Sequence, residues 1–145
     1  MGRRRRGREY ALQMLFQMDL SGDPPESVFE AFWDGQQNAP EEVRAFAEDL
    51  ARGAWSVREP VDEAITACAE NWRLQRMAAV DRNVLRLAAF EMMYRTEVPA
   101  AVTIDEAIEI VKKYGSEESG RFINGILDGL RRRVERGELR LGGAS

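Results

Sequence analysis

Between Asp81 and Arg95 the chain reads DRNVLRLAAFEMMYR, and Val84, Leu85, Leu87, Ala88, Ala89, Phe90, Met92 and Met93 leave a helix of that length little polar circumference. A helix apolar on most sides has to be covered on most sides. The rest of the chain must therefore wrap it.

The remaining sequence is suited to that task, because apolar residues recur at helical spacing nearly throughout and strand-like alternation between turn signals is not evident. The expected fold is all-α. A first helix is predicted from about Arg6 to Leu20, with Ala11, Met14, Leu15 and Met18 on one stripe and Leu12 and Phe16 widening it. Asp23, Pro24 and Glu26 supply an N-cap oxygen, a preset first-turn φ and an acidic third position, so a second helix is expected to start at Asp23. After Pro40, Val43, Phe46, Ala47, Leu50, Ala51, Ala54 and Val57 form the clearest amphipathic pattern, and Pro60 opens a helix with Val61, Ala64, Ile65, Cys68 and Trp72 on one face. Thr103 and Glu106 read as a capping box ahead of Ile104, Ala107, Ile108 and Val111. A last helix, from near Ser116 or Ser119, turns Phe122, Ile126, Leu127, Leu130 and Val134 inward. Past Gly137 the composition is that of a loose tail, residues 138–145.

Charge is distributed unevenly along this helical body. Five of the first eight residues are arginine (Arg3, Arg4, Arg5, Arg6 and Arg8), yet the 145-residue chain has a formal charge of −4. Without those five, 16 basic residues face 25 acidic ones, and residues 23–70 alone carry −9. A cationic arm on an acidic body points to a polyanion gripped at one place, since the arginine fork matches phosphate geometry. Three readings stand at this level: single-stranded nucleic acid binding, with Phe16 two turns beyond Arg8 as a flat neighbour; adhesion to an anionic membrane surface; and a solvated terminus.

Composition closes off most chemistry. The chain has no histidine and a single cysteine, so the common zinc sets, His-based triads and internal disulfides are unavailable, and no phosphate loop or dinucleotide fingerprint occurs. No metal, cofactor or catalytic residue is assigned. Cys68 lies on an apolar stripe and reads as a core residue. Glu91 sits within the most apolar helix, where an unpaired carboxylate is costly, so it is expected to meet Arg95 or an arginine on a facing helix; a catalytic acid is the alternative. Gly125 and Gly129 read as a close helix approach, and Asn124 as a structural amide. The longest charge-free stretch, Tyr10 to Met18, is too short to span a membrane, and Gln13, Gln17 and Asp19 spoil a signal-peptide reading. A reducing cytoplasm is the expected compartment.

Four segments, RRRRGREYALQMLFQMDL, NWRLQRMAAVDRNVLRLAAFEMMYR, VPAAVTIDEAIEIVKKYG and SGRFINGILDGL, together resemble the NusB family of bacterial transcription antitermination factors. The resemblance covers most of the chain in family order, while residues 21–70 match only in helical pattern. It implies about seven helices in two packed helical-bundle subdomains, about residues 1–59 and 60–137, within one domain. It further implies a non-enzymatic protein that binds the boxA element of ribosomal RNA transcripts with the ribosomal protein NusE and helps RNA polymerase read through terminators. By position, Arg3, Arg4, Arg5, Arg6 and Arg8 resemble the family's phosphate-binding residues, and Phe16 and Phe122 its aromatic RNA-surface positions; for Phe122, core packing is an equal alternative. Asp81 and Arg82 match the region associated with NusE, with N-capping as the simpler role for Asp81. Two other readings remain: a structural helical homodimer, and a stand-alone relative of the N-terminal domain of an rRNA cytosine methyltransferase.

Overall fold

A computed structural model describes residues 2–35, 38–69 and 73–138; Trp72 and residues 139–145 of the expected tail lie outside the described residues. Among the described residues there are seven α-helices and no strand: α1 (Arg3–Ser21), α2 (Pro25–Asp34), α3 (Glu41–Ser56), α4 (Arg58–Cys68), α5 (Ala79–Tyr94), α6 (Ala100–Tyr114) and α7 (Ser119–Glu135). A short 3-10 turn, Leu74–Arg76, precedes α5.

The apolar α5 is the central element, packed against α1, α3, α4, α6 and α7. Its residues from Asn83 to Met93 are all buried. Apolar side chains from all seven helices merge into one core around it. Gly53 of α3 permits part of this packing, because a Cβ there would stand 2.4 Å from Cζ of buried Phe90. None of the described helices is long and apolar enough to cross a membrane.

The starts of α2, α4 and α6 differ from expectation. α2 begins after Pro24, with no side-chain cap from Asp23. α4 starts at Arg58, so Pro60 lies inside its first turn, where the missing amide hydrogen is harmless. α6 starts at Ala100 behind Pro99, which buries Thr103 within the helix instead of leaving it as a cap. The Thr-x-x-Glu pattern thus marks no helix start, and Glu106 is used by another element.

At the far end of α1, Asp19 ties three elements together. It accepts hydrogen bonds from Arg82 Nε at 2.8 Å and Asn83 Nδ2 at 3.0 Å, and lies 3.2 Å from Arg86 Nη1. Arg86 in turn forks onto Asp62 of α4 at 2.8 and 3.0 Å. Burial works to raise the Asp19 carboxyl, but the bonds from Asn83 and Arg82 and the charges of Arg86 and Arg82 outweigh it and hold it below its usual range. A depressed folded value makes this contribution fully present above the ordinary carboxylate range, and it is lost as pH falls through the folded value. Asp19→Asn is therefore expected to flatten the fall in stability from about pH 5 downward. Urea midpoints across that range test this; identical pH slopes in the two proteins would refute it.

Candidate nucleic-acid interface

The arginine run is helical from Arg3 onward, three residues earlier than periodicity predicts, because its side chains find partners on two flanking helices. On one flank Arg3 pairs with Glu42 of α3, and the Arg4 guanidinium lies over the Phe46 ring, 5.3 Å from its centroid. On the other, Arg5 forks onto Glu106 of α6 with two bonds of 2.8 Å. Those bonds and the Arg5 charge hold the Glu106 carboxyl below its usual range despite partial burial, and the same pairing raises Arg5. Arg6 donates to its own helix's Tyr10 hydroxyl at 3.2 Å and covers that ring.

Arg8 faces the opposite way from a phosphate-binding role. It is 5% exposed, and its Nε and Nη2 donate to the 2% exposed Glu91 at 2.9 Å each. The arginine on a facing helix expected for Glu91 is Arg8; Arg95 instead reaches Asp49. This arginine braces the arm from beneath, with its fork already filled.

From the arm, a polar seam continues between α1 and α6. Glu9 accepts from Lys113 Nζ at 2.8 Å and the Tyr114 hydroxyl at 3.0 Å, and Gln13 donates to Tyr114 at 3.3 Å. Burial, then the bond to Glu9, raises the Tyr114 hydroxyl and keeps it a neutral donor. Arg5 and Gln13 are eight residues apart, so the seam covers about 12 Å of helix.

Beyond Tyr114 the chain turns into α7, and a cleft of about 240 Å³ opens between that turn and the start of α5. Phe122 and Asp81 line it together with Arg76, Met77, Ser116, Glu118 and Ser119, so its charge is mixed. The Ser119 hydroxyl accepts from the Ser116 backbone at 3.1 Å, which fixes the wall beside Phe122. Oδ1 of Asp81 is buried without a hydrogen-bond partner among the described residues. Asp81 lies inside the first turn of α5, so it is not the N-cap.

Arg82, one residue on, points away from this cleft toward Asp19 and donates to the carbonyls of Met77 at 3.2 Å and Leu74 at 3.4 Å. It holds in place the 3-10 turn that carries Arg76. Phe16 lies elsewhere, in a groove of about 550 Å³ between α1 and α2 beside Leu20, which is 64% exposed.

The fold thus presents exposed arginines at the start of α1 and an aromatic ring in a cleft of mixed charge. Residues 5–132 match the model described as the NusB family. The chain belongs to the NusB family. A relative named transcription antitermination protein NusB, from Sorangium cellulosum (strain So ce56), is 53% identical over 128 residues, covering 88% of this chain and 91% of that protein. The structure of T. maritima NusB superposes with a TM-score of 0.82 at 38% identity, covering 94% of this chain and 97% of the other. A chain from the crystal structure of antitermination factors NusB and NusE in complex with dsRNA gives 0.80 at 27% identity, covering 91% and 98%.

On this NusB-family fold, Asp81 and Phe122 share one cleft, and Arg3, Arg4, Arg5 and Arg6 share one helix end. Phe16 joins neither group. Sequence reading passed over Lys113, Tyr114, Arg76 and Ser119. Lys112-Lys113-Tyr114, basic residues beside an aromatic at a helix end, was the available signal for the first two; Arg76 and Ser119 carried none.

Proposed function

We propose that this chain is a transcription antitermination factor that binds boxA RNA of ribosomal RNA operons together with NusE, as a non-enzymatic adaptor in the RNA polymerase antitermination complex. What supports this reading is the cluster of exposed arginines at the start of α1, together with the α1–α6 seam that runs from Arg5 toward the turn beside the cleft of Phe122. Arginines there neutralise phosphates while the aromatic ring receives a base. The RNA is read as single-stranded, since only unpaired bases offer faces to such a ring.

Asp81, on the wall of the cleft, serves the partner there, and Arg82 acts on that face indirectly by clamping the 3-10 turn. Phe16 contributes the apolar wall of the second groove. The work is done in the cytoplasm, where nascent RNA is made.

Phe122→Leu keeps bulk in the half-buried site and removes the flat ring, so boxA affinity is expected to fall roughly 5- to 150-fold, the range for one base–aromatic stack. Anisotropy titrations with boxA, scrambled and duplex RNA, each with and without NusE, test the reading. Equal affinity for boxA and scrambled RNA in the presence of NusE would sink it. Tighter binding to the duplex would replace the single-stranded part with shape recognition.

A further inference from the structure

Four of the five arm arginines are already engaged: Arg3 with Glu42, Arg5 with Glu106, Arg6 with Tyr10 and Arg8 with Glu91. Arg4 differs, because its guanidinium makes no hydrogen bond or ion pair among the described residues and is held only over the Phe46 ring. All its donors remain available. Phe46 sits under it for a structural reason: the Arg8 guanidinium also lies over the ring, 5.8 Å from the centroid, and the ring edge meets α1 at Gly7. A Cβ at position 7 would stand 2.5 Å from Phe46 Cδ2, so glycine is what lets α3 approach this closely.

We propose that Phe46 is the positioning residue of the arm: by holding Arg4 over its ring, it presets an open guanidinium fork for an RNA phosphate lying in the groove between the arm and α3. That groove, about 260 Å³, is lined by Arg3, Arg4, Glu42, Val43 and Phe46. An arginine loses rotamer freedom when it binds a phosphate, and one already stacked on an aromatic ring has lost part of it beforehand. Arg3 supports the same contact, since its pairing masks the Glu42 carboxylate that would repel a phosphate. Both partners of that pair are largely exposed, 70% and 62%, so the pairing adds little stability by itself and its effect is on the local charge.

This inference rests on the RNA-binding reading above and is tested so that the two can fail separately. Labelled boxA RNA is titrated against the full chain, Arg4→Ala, Phe46→Leu and the double variant across a salt series. Arg4→Ala should reduce the salt slope by about 0.7, the value of one single-strand phosphate contact. Phe46→Leu keeps every charge and should weaken binding roughly 2- to 5-fold, the range of an exposed cation–π contact, with the slope unchanged. In the Arg4→Ala background Phe46→Leu should cost nothing further. Phe46→Tyr, which keeps the ring outline against Gly7, should bind as the parent does, and Gly7→Ala, which pushes the ring from the other side, should reproduce the Phe46→Leu loss. In the free protein, the Arg4 Nε–H signal should carry a ring-current shift that disappears in Phe46→Leu. The inference is overturned if Phe46→Leu costs as much without Arg4 as with it, or if the Arg4 signal is the same in both proteins. A parent chain that binds no boxA RNA overturns the functional reading and this inference together.

Discussion

Replacing Glu91 with alanine is expected to lower the unfolding free energy by about 3–5 kcal/mol, because it leaves the Arg8 guanidinium buried and uncompensated. The pair lies among Val84, Leu87, Ala88, Ala107 and Ile110, where water cannot take over the lost bonds. Against a typical domain stability of about 5–15 kcal/mol, that loss removes a large share of the total. Exposed pairs such as Arg132–Asp128 and Lys112–Glu109 should contribute about 0–1 kcal/mol each by comparison. Arg8→Met/Glu91→Leu, which replaces both charges with apolar groups of similar size, should be neutral or stabilising by up to about 4 kcal/mol. Urea denaturation separates these outcomes. A loss of under about 1 kcal/mol in Glu91→Ala would mean that Arg8 reaches solvent or another partner.

The same double variant also decides what Arg8 does for RNA. If it acts only by bracing the arm and Phe46, the salt slope of boxA binding stays that of the parent; a slope lowered by about 0.7 would put Arg8 on a phosphate instead.

The second large effect concerns the exposed arginines. Arg3→Ala/Arg4→Ala/Arg6→Ala leaves the Arg5–Glu106 and Arg8–Glu91 pairs intact, so the fold should hold. Three single-strand phosphate contacts carry a salt slope of about −2, and their loss is expected to weaken boxA binding about 100-fold near 0.1 M salt. Titration at several salt concentrations provides the check. An unchanged slope would remove the arm from the interface and leave the cleft at Phe122 as the RNA contact.

Much of this architecture could be read without coordinates. The run from Val84 to Met93 required a central helix, and the stripes at Ala11–Met18 and Val43–Ala54 required helices to cover it. Those patterns are local, and burial in a helical body follows from them directly. Helix starts were less legible: Thr103 and Glu106 have the composition of a cap, but Pro99 starts α6 earlier and Arg5, about a hundred residues away in sequence, takes the Glu106 carboxylate. Asp23 likewise loses its capping role to Pro24.

The candidate interface divides in the same way. An all-α chain around one apolar helix and a local excess of arginine at its start were legible in the residue order, because periodicity and local charge depend only on neighbours along the chain; the family was legible from the four matching segments. Which partner each arginine meets came from packing. Burial against α5 turns Arg8 into a brace, α6 takes Arg5, and a glycine-sized gap lets Phe46 hold Arg4 open toward solvent. Each of these assignments depends on a partner distant in sequence, and distances of that kind are set by packing, not by composition.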